Sequence, residues 1–291
     1  MLLYDIDVIT PSSLDEALEI LSSRKGRIKV VAGGTDLIIQ MKDGIIPRRD
    51  LLNIYGLDEL RYIKLDDNDM IRIGALTSFS EIASSETIRH YAKILADAAS
   101  TIGSIQIMNK ASIGGNIVNA SPAADSLPPL YALGAVVRVA SSRGSREVPI
   151  ESFYRGYKKL DLAEDELVCE VRLRAMSDDE DGIFLKHGLR LGDAIAVVNA
   201  AIWVRRDSRS GLFSDARVAL GAVAPTVVRA RRCEQLIISK KLDEDSMWNA
   251  AKAVLESISP IDDVRGSAEY RREMSVNLVY MGLWELTHRS G

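Results

Sequence analysis

Two glycine doublets limit what this chain can fold into more than any other feature. One lies in VVAGGTD, residues 30–36, directly after the β-branched run IKVVA at 28–32. The other lies in ASIGGNIVNASPAAD, residues 111–125. A strand that ends in Gly-Gly must turn sharply, and glycine allows left-handed backbone angles and close approach of another chain or a ligand. Successive backbone N–H groups in such a turn form a concave nest for an anion. Two facing nests would suit a pyrophosphate without direct neutralisation by Lys or Arg, with Thr35, Asp36, Ser112 and Asn116 adding side-chain hydrogen bonds. Asp125 would accept hydrogen bonds from ribose or ribityl hydroxyls. The residues alone leave two readings open: ordinary turns between strands, or a dinucleotide site of unfamiliar form.

The familiar forms are absent. No two glycines are separated by one residue, so the GxGxxG fingerprint cannot occur, and GxxxxGK[ST], HExxH and GxSxG are missing too. A net charge of −4 with 5% aromatic residues argues against a nucleic-acid binder. The two cysteines, Cys169 and Cys233, cannot hold a four-cysteine iron–sulfur cluster and read as buried thiols. The three histidines are dispersed, so no metal site is expected. The start, MLLYDIDVITPSS, has acids where an export signal has bases, and the longest apolar run, residues 194–204, is too short to span a bilayer. The expected location is the cytoplasm.

With 291 residues, two or three domains are expected. Ser13 opens a helix whose apolar face is Leu14, Ala17, Leu18 and Leu21. A brief helical or irregular piece over LIIQMKDG closes at Gly44. Strands are predicted at 28–32, 51–54, 70–75, 134–140 and 166–174, and a helix over 79–99. The acidic AMSDDEDG at 175–182 is the candidate domain boundary. Beyond it, 184–206 and 213–223 read as strand segments. Residues 243–258 and 268–288 read as helices, the last with Met274, Leu278, Met281 and Leu283–Trp284 as apolar positions. Mixed elements, then strands, then helices imply an α+β architecture.

Together with IGSIQIMNKASIGGNIVNASPAADSLPPLYALGA, KHGLRLGDAIAVVNAA, ARVALGAVAPTVVRA and DVRGSAEYRREM, the two motifs resemble the FAD-binding medium subunit of the molybdenum hydroxylases. That family includes flavoprotein subunits of aerobic carbon monoxide dehydrogenase and of xanthine dehydrogenase-like and aldehyde oxidoreductase complexes. The resemblance runs from about residue 3 to residue 287. It implies a two-subdomain FAD-binding fold of the vanillyl-alcohol-oxidase type over 1–175, split near 55–60. A C-terminal domain with a small antiparallel sheet and helices would follow over 180–288.

The resemblance also implies that FAD lies between these parts. Its binding residues would be Ala32, Gly33, Gly34, Thr35, Asp36 and Leu37, then Ser112, Ile113, Gly114, Gly115 and Asn116, with Asp125, Leu162, Val168 and Lys186. No side chain need act as nucleophile or base. Ser112 stands where relatives often have Thr, Met108 where they often have Arg, and Ala194 where some have an aromatic ring after the Gly-Asp pair. Implied partners are a large molybdopterin subunit and a small [2Fe–2S] subunit, in a dimer of heterotrimers. Electrons would come from the clusters and leave to an external acceptor. Two rival readings are a stand-alone FAD oxidoreductase of the same fold and a scaffold that has lost FAD.

Overall fold

The computed structural model describes residues 6–190 and 192–289. Near the N-terminus, Ser13 caps helix Leu14–Ser23 by accepting from the Glu16 N–H. The helix buries Ala17, Leu18 and Leu21 as its pattern predicts. It packs on a three-stranded parallel sheet ordered Val8–Ile9, Asp50–Asn53, Ile28–Val31. The edge strand Ile28–Val31 runs straight into the first glycine doublet and then helix Leu37–Lys42.

The second sheet is antiparallel throughout: Ile63–Leu65, Met70–Gly74, Leu167–Arg174, Val136–Ser141, Gly144–Pro149. Its outer strands, Ile63–Leu65 and Gly144–Pro149, carry no strong apolar alternation and were not predicted. The predicted helix over 79–99 is instead three short helices, Phe79–Ser84, Glu86–Tyr91 and Lys93–Ala99. Ser85 ends the first and caps the second through the Ile88 N–H, and buried Ala92 interrupts the run again. Serine favours a cap over a helix interior because its hydroxyl competes for backbone groups.

The third sheet, also antiparallel, orders Glu180–Gly188, Ala196–Arg206, Phe213–Gly221 and Val228–Arg229. Helices Arg231–Ile237, Glu244–Lys252 and Ala268–His288 pack against it. In the last helix Leu278 and Leu283 are buried, but Met281 and Trp284 are 55% and 46% exposed, so the inward face is displaced from the predicted one. The acidic 175–182 stretch is no loose linker. Strand Glu180–Gly188 starts within it, and the buried Glu180 carboxylate pairs with Arg174 and Arg205.

The largest core cluster joins the second and third sheets. It runs from Ile71, Ile73 and Val171 through helices Lys93–Ala99 and Leu127–Ala132 to Phe184, Ala201, Trp203 and Ala219. Both cysteines are free and buried. Burial pushes the Cys169 thiol up to about 11 and that of Cys233 up to about 12.

Candidate cofactor site

The two glycine motifs meet backbone to backbone. A Cβ on Gly33 would lie 1.8 Å from the Lys110 carbonyl oxygen, so no other residue lets the first turn touch the chain leading into the second motif. Gly34 takes φ +71°, the left-handed region that favours glycine. After the turn, among the described residues, no acceptor takes the backbone N–H of Gly33, Gly34, Thr35, Asp36 or Leu37. Consecutive unpaired amides are costly in a fold unless water or a ligand accepts from them.

The second motif works differently from the expected mirror-image nest. Ser112 caps helix Ile113–Asn119 and accepts from the Gly115 N–H at 3.2 Å. The Ile113 and Gly114 N–H groups donate to the Thr77 and Ala75 carbonyls, and the Asn116 N–H to that of Ser112. These amides are therefore already paired, which corrects the expectation of two facing nests. The glycines here serve close packing: a Cβ on Gly114 would sit 2.7 Å from that of Ala75. Gly115 is different, since its Cβ would meet only the Ser112 Oγ, at 3.0 Å.

Between the motifs lies a cavity of about 540 Å³, within the usual size of a small-molecule site. Ala32, Gly33, Gly34, Thr35, Asp36 and Leu37 line it on one side, and Ser112, Gly114, Gly115 and Asn116 on the other. Leu162 and Val168 contribute apolar wall. Ile113 does not line it: the side chain is 0% exposed and belongs to the central core.

Asp125 and Lys186 also lie off this cavity, in contact with each other. Lys186 Nζ donates to Asp125 Oδ2 at 2.6 Å and to the Thr101 carbonyl at 2.8 Å. Asn199 Nδ2 donates to the other carboxylate oxygen at 2.7 Å. Burial pushes the Asp125 carboxyl above its ordinary value, against the pull of Lys186 and Asn199. Each carboxylate oxygen thus accepts one bond, and Asp125 anchors Lys186. Lys186 forms part of the wall of a second crevice of about 450 Å³, with Thr101, His187, Arg190 and Ala194.

Sequence reasoning missed Gln40, Asn119 and Lys158, which also line the main cavity. Gln40 Nε2 donates to Asn119 Oδ1 at 3.0 Å, and Lys158 Nζ donates to the same oxygen at 3.2 Å. Gln40 and Asn119 each fall one helical turn after a glycine motif, which is the signal that could have found them. Lys158 follows no motif. Among the described residues, no group of three or more His, Cys, Asp and Glu gathers to hold a metal.

The glycine turn, its open amides and the apolar wall fit a dinucleotide, and the comparisons with known proteins name which one. Residues 4–174 match the profile described as the FAD binding domain in molybdopterin dehydrogenase, and 184–286 match the CO dehydrogenase flavoprotein C-terminal domain. The chain belongs to the FAD-binding flavoprotein family of the molybdopterin dehydrogenases. Among its family relatives, the glyceraldehyde dehydrogenase medium chain of Sulfolobus acidocaldarius is 34% identical, over 93% of this chain and 94% of the relative. The xanthine dehydrogenase FAD-binding subunit of Escherichia coli O157:H7 is 32% identical, over 89% and 88%. A solved carbon monoxide dehydrogenase from Hydrogenophaga pseudoflava, lacking the Mo-pyranopterin moiety of its cofactor, superposes with a TM-score of 0.92 at 30% identity, covering 97% of both chains. The family and α+β fold implied by the sequence resemblance are those found.

Proposed function

We propose that this chain is the FAD-binding electron-transfer subunit of a heterotrimeric molybdenum hydroxylase. It takes electrons from the [2Fe–2S] clusters of a small partner subunit and passes them to an external acceptor, while a large partner subunit carries the molybdopterin. The observation that carries this reading is the row of unpaired amides on a glycine turn lining a cavity, in a chain whose family binds FAD. Bound FAD would supply a centre able to accept electrons singly and release them singly or in pairs.

The protein's own residues bind and orient. The Gly33–Leu37 amides would hold the diphosphate, the Ser112–Asn116 segment would close the opposite side, and Leu162 and Val168 would exclude water. Lys186, fixed by Thr101 and by Asp125, which Asn199 holds in turn, would present a positive charge toward the flavin ring from the second crevice. The FAD-binding domain is read as 1–175, split near 55–60, and the C-terminal domain as 180–288. Among the described residues no helix is long and apolar enough to cross a membrane. The assembly in this reading is a cytoplasmic dimer of heterotrimers, as the sequence resemblance implies.

The test is the visible spectrum of the purified chain after FAD is added and the excess removed. Oxidised-flavin bands that bleach on reduction are expected. A colourless chain would overturn the reading.

A further inference from the structure

Lys158 sits at the tip of the hairpin formed by Tyr154–Gly156 and Lys159–Leu160, with φ +55°. The hairpin hangs on helix Ile113–Asn119 by two side chains. Tyr154 Oη donates to the Ile117 carbonyl at 3.0 Å, and Lys158 Nζ donates to the carbonyl and Oδ1 of Asn119. The ammonium is thus turned inward onto the wall of the main cavity, although the residue as a whole is exposed.

Two features of this ammonium stand out. Among the described residues it has no carboxylate at ion-pair distance, whereas Glu166 on the same cavity is paired with Arg146. The one charge felt at Lys158 is that of Asp36, within the glycine turn. Burial lowers its affinity for a proton and Asp36 opposes that effect. An inward-facing cation without a partner is unfavourable unless an anion joins it. The turn has the opposite problem, because the Asp36 carboxylate repels any diphosphate drawn to the open amides beside it.

We propose that Lys158 is a further cofactor-binding residue, whose ammonium neutralises the diphosphate of the dinucleotide opposite the Gly33–Asp36 turn and so selects FAD over flavins that lack that group. The inference rests on the FAD reading above. Its arrangement also gives Lys158 a resting place: Asn119, whose Oδ1 also accepts from Gln40, holds the ammonium before the ligand arrives. A charged acceptor then replaces a neutral one, and the hydrogen bond becomes an ion pair.

The experiment uses the full apo chain and its Lys158→Gln and Lys158→Arg variants. Binding of FAD, ADP and riboflavin is measured by fluorescence and calorimetry at several salt concentrations, with melting curves to verify folding. Lys158→Gln should weaken FAD and ADP alike by roughly tenfold to a hundredfold, as expected for loss of one charged hydrogen bond. Riboflavin, without a diphosphate, should bind all three proteins equally. The wild-type advantage for FAD should shrink as salt rises, and Lys158→Arg should recover most of it. A Lys158→Gln chain that binds FAD within about twofold of wild type would overturn the proposal. So would an equal loss for FAD and riboflavin, which would mark the lysine as merely structural. A wild-type chain that binds no FAD defeats the flavin reading itself, and Lys158 with it.

Discussion

At the scale of single residues, the four glycines of the two motifs do three different things. Gly33 and Gly114 let backbones touch, with added Cβ atoms 1.8 Å and 2.7 Å from neighbouring atoms. Substitution at either displaces main chain, and loss of flavin there would say nothing about contact with it. Gly34 combines φ +71° with an Ile38 side chain 3.1 Å from its Cβ, so a branched residue there is strained in itself. Gly115 is the informative site. It is exposed on the cavity wall, and the Ser112 hydroxyl is its only near neighbour. Gly115→Val should leave stability within about 1 kcal/mol of wild type, the helix-propensity difference being small. It should also lower the flavin-to-protein ratio to near zero, because the isopropyl group stands in the cavity. The ratio from the visible spectrum, beside the melting temperature, checks both halves. A folded variant with a full complement of FAD would disprove the assignment of this wall to the cofactor. The doublets were legible in the sequence because glycine pairs flanked by small polar residues are rare punctuation. The division of labour among them was not, since it depends on Lys110 and Ala75 arriving from other elements.

At the scale of elements, strand Leu167–Arg174 shows both what an apolar pattern reveals and what it conceals. Its β-branched and leucine positions predicted a strand, and it forms the middle of the five-stranded sheet. Its charged positions gave no hint that Glu170, at 0% exposure, is the polar centre of that sheet. Arg72 Nε reaches Glu170 Oε2 at 2.9 Å, and Tyr62 and Arg172 also donate to the carboxylate. Burial alone would raise this group, but the donated bonds together hold it below the ordinary glutamate value. A carboxylate depressed in the fold contributes stability that is present above its unfolded value and lost as pH falls through the folded one. The wild-type melting temperature should therefore drop below about pH 4, in part through Glu170. Glu170→Gln should be less stable at pH 7 and should show a flatter acid limb. A parallel pair of melting-temperature profiles from pH 7 to pH 3 would remove Glu170 from acid unfolding. The broken 79–99 helix carries the complementary lesson. Its apolar spacing favours one long helix, yet Ser78 and Ser85 each cap a short one, and local capping prevails where tertiary contacts bend the path.

At the scale of the whole molecule, the decisive feature is the seam between the second and third sheets. Its apolar part is continuous from Ile71 to Ala219 in one core. Its polar part is the Asp125–Lys186 pair with Asn199, which no motif announced because the partners are 61 and 74 residues apart in the chain. Both charged side chains are about nine-tenths buried. Removing one member of such a pair leaves the other desolvated, at a cost of about 3–5 kcal/mol. Lys186→Met should show that loss at pH 7, and Asp125→Leu with Lys186→Met should recover much of it, since the isolated charge is gone. The sign of the pH dependence follows from the causes acting on Asp125. Burial, which raises its carboxyl, is the largest, and Lys186 is the main group opposing it. Without Lys186 the fold favours the protonated acid more strongly. A carboxyl raised in the fold loses stability as pH rises from its unfolded toward its folded value, so the deficit of Lys186→Met should shrink between pH 8 and pH 5. Because the core runs across the seam, probes in either half, such as Trp203 and Tyr62, should report one shared transition in wild type and variant. Denaturant unfolding at pH 8, 6.5 and 5 measures this directly. A deficit that stays constant with pH would mean that Lys186 acts by packing alone, and that the positive charge proposed to face the flavin is not held by Asp125.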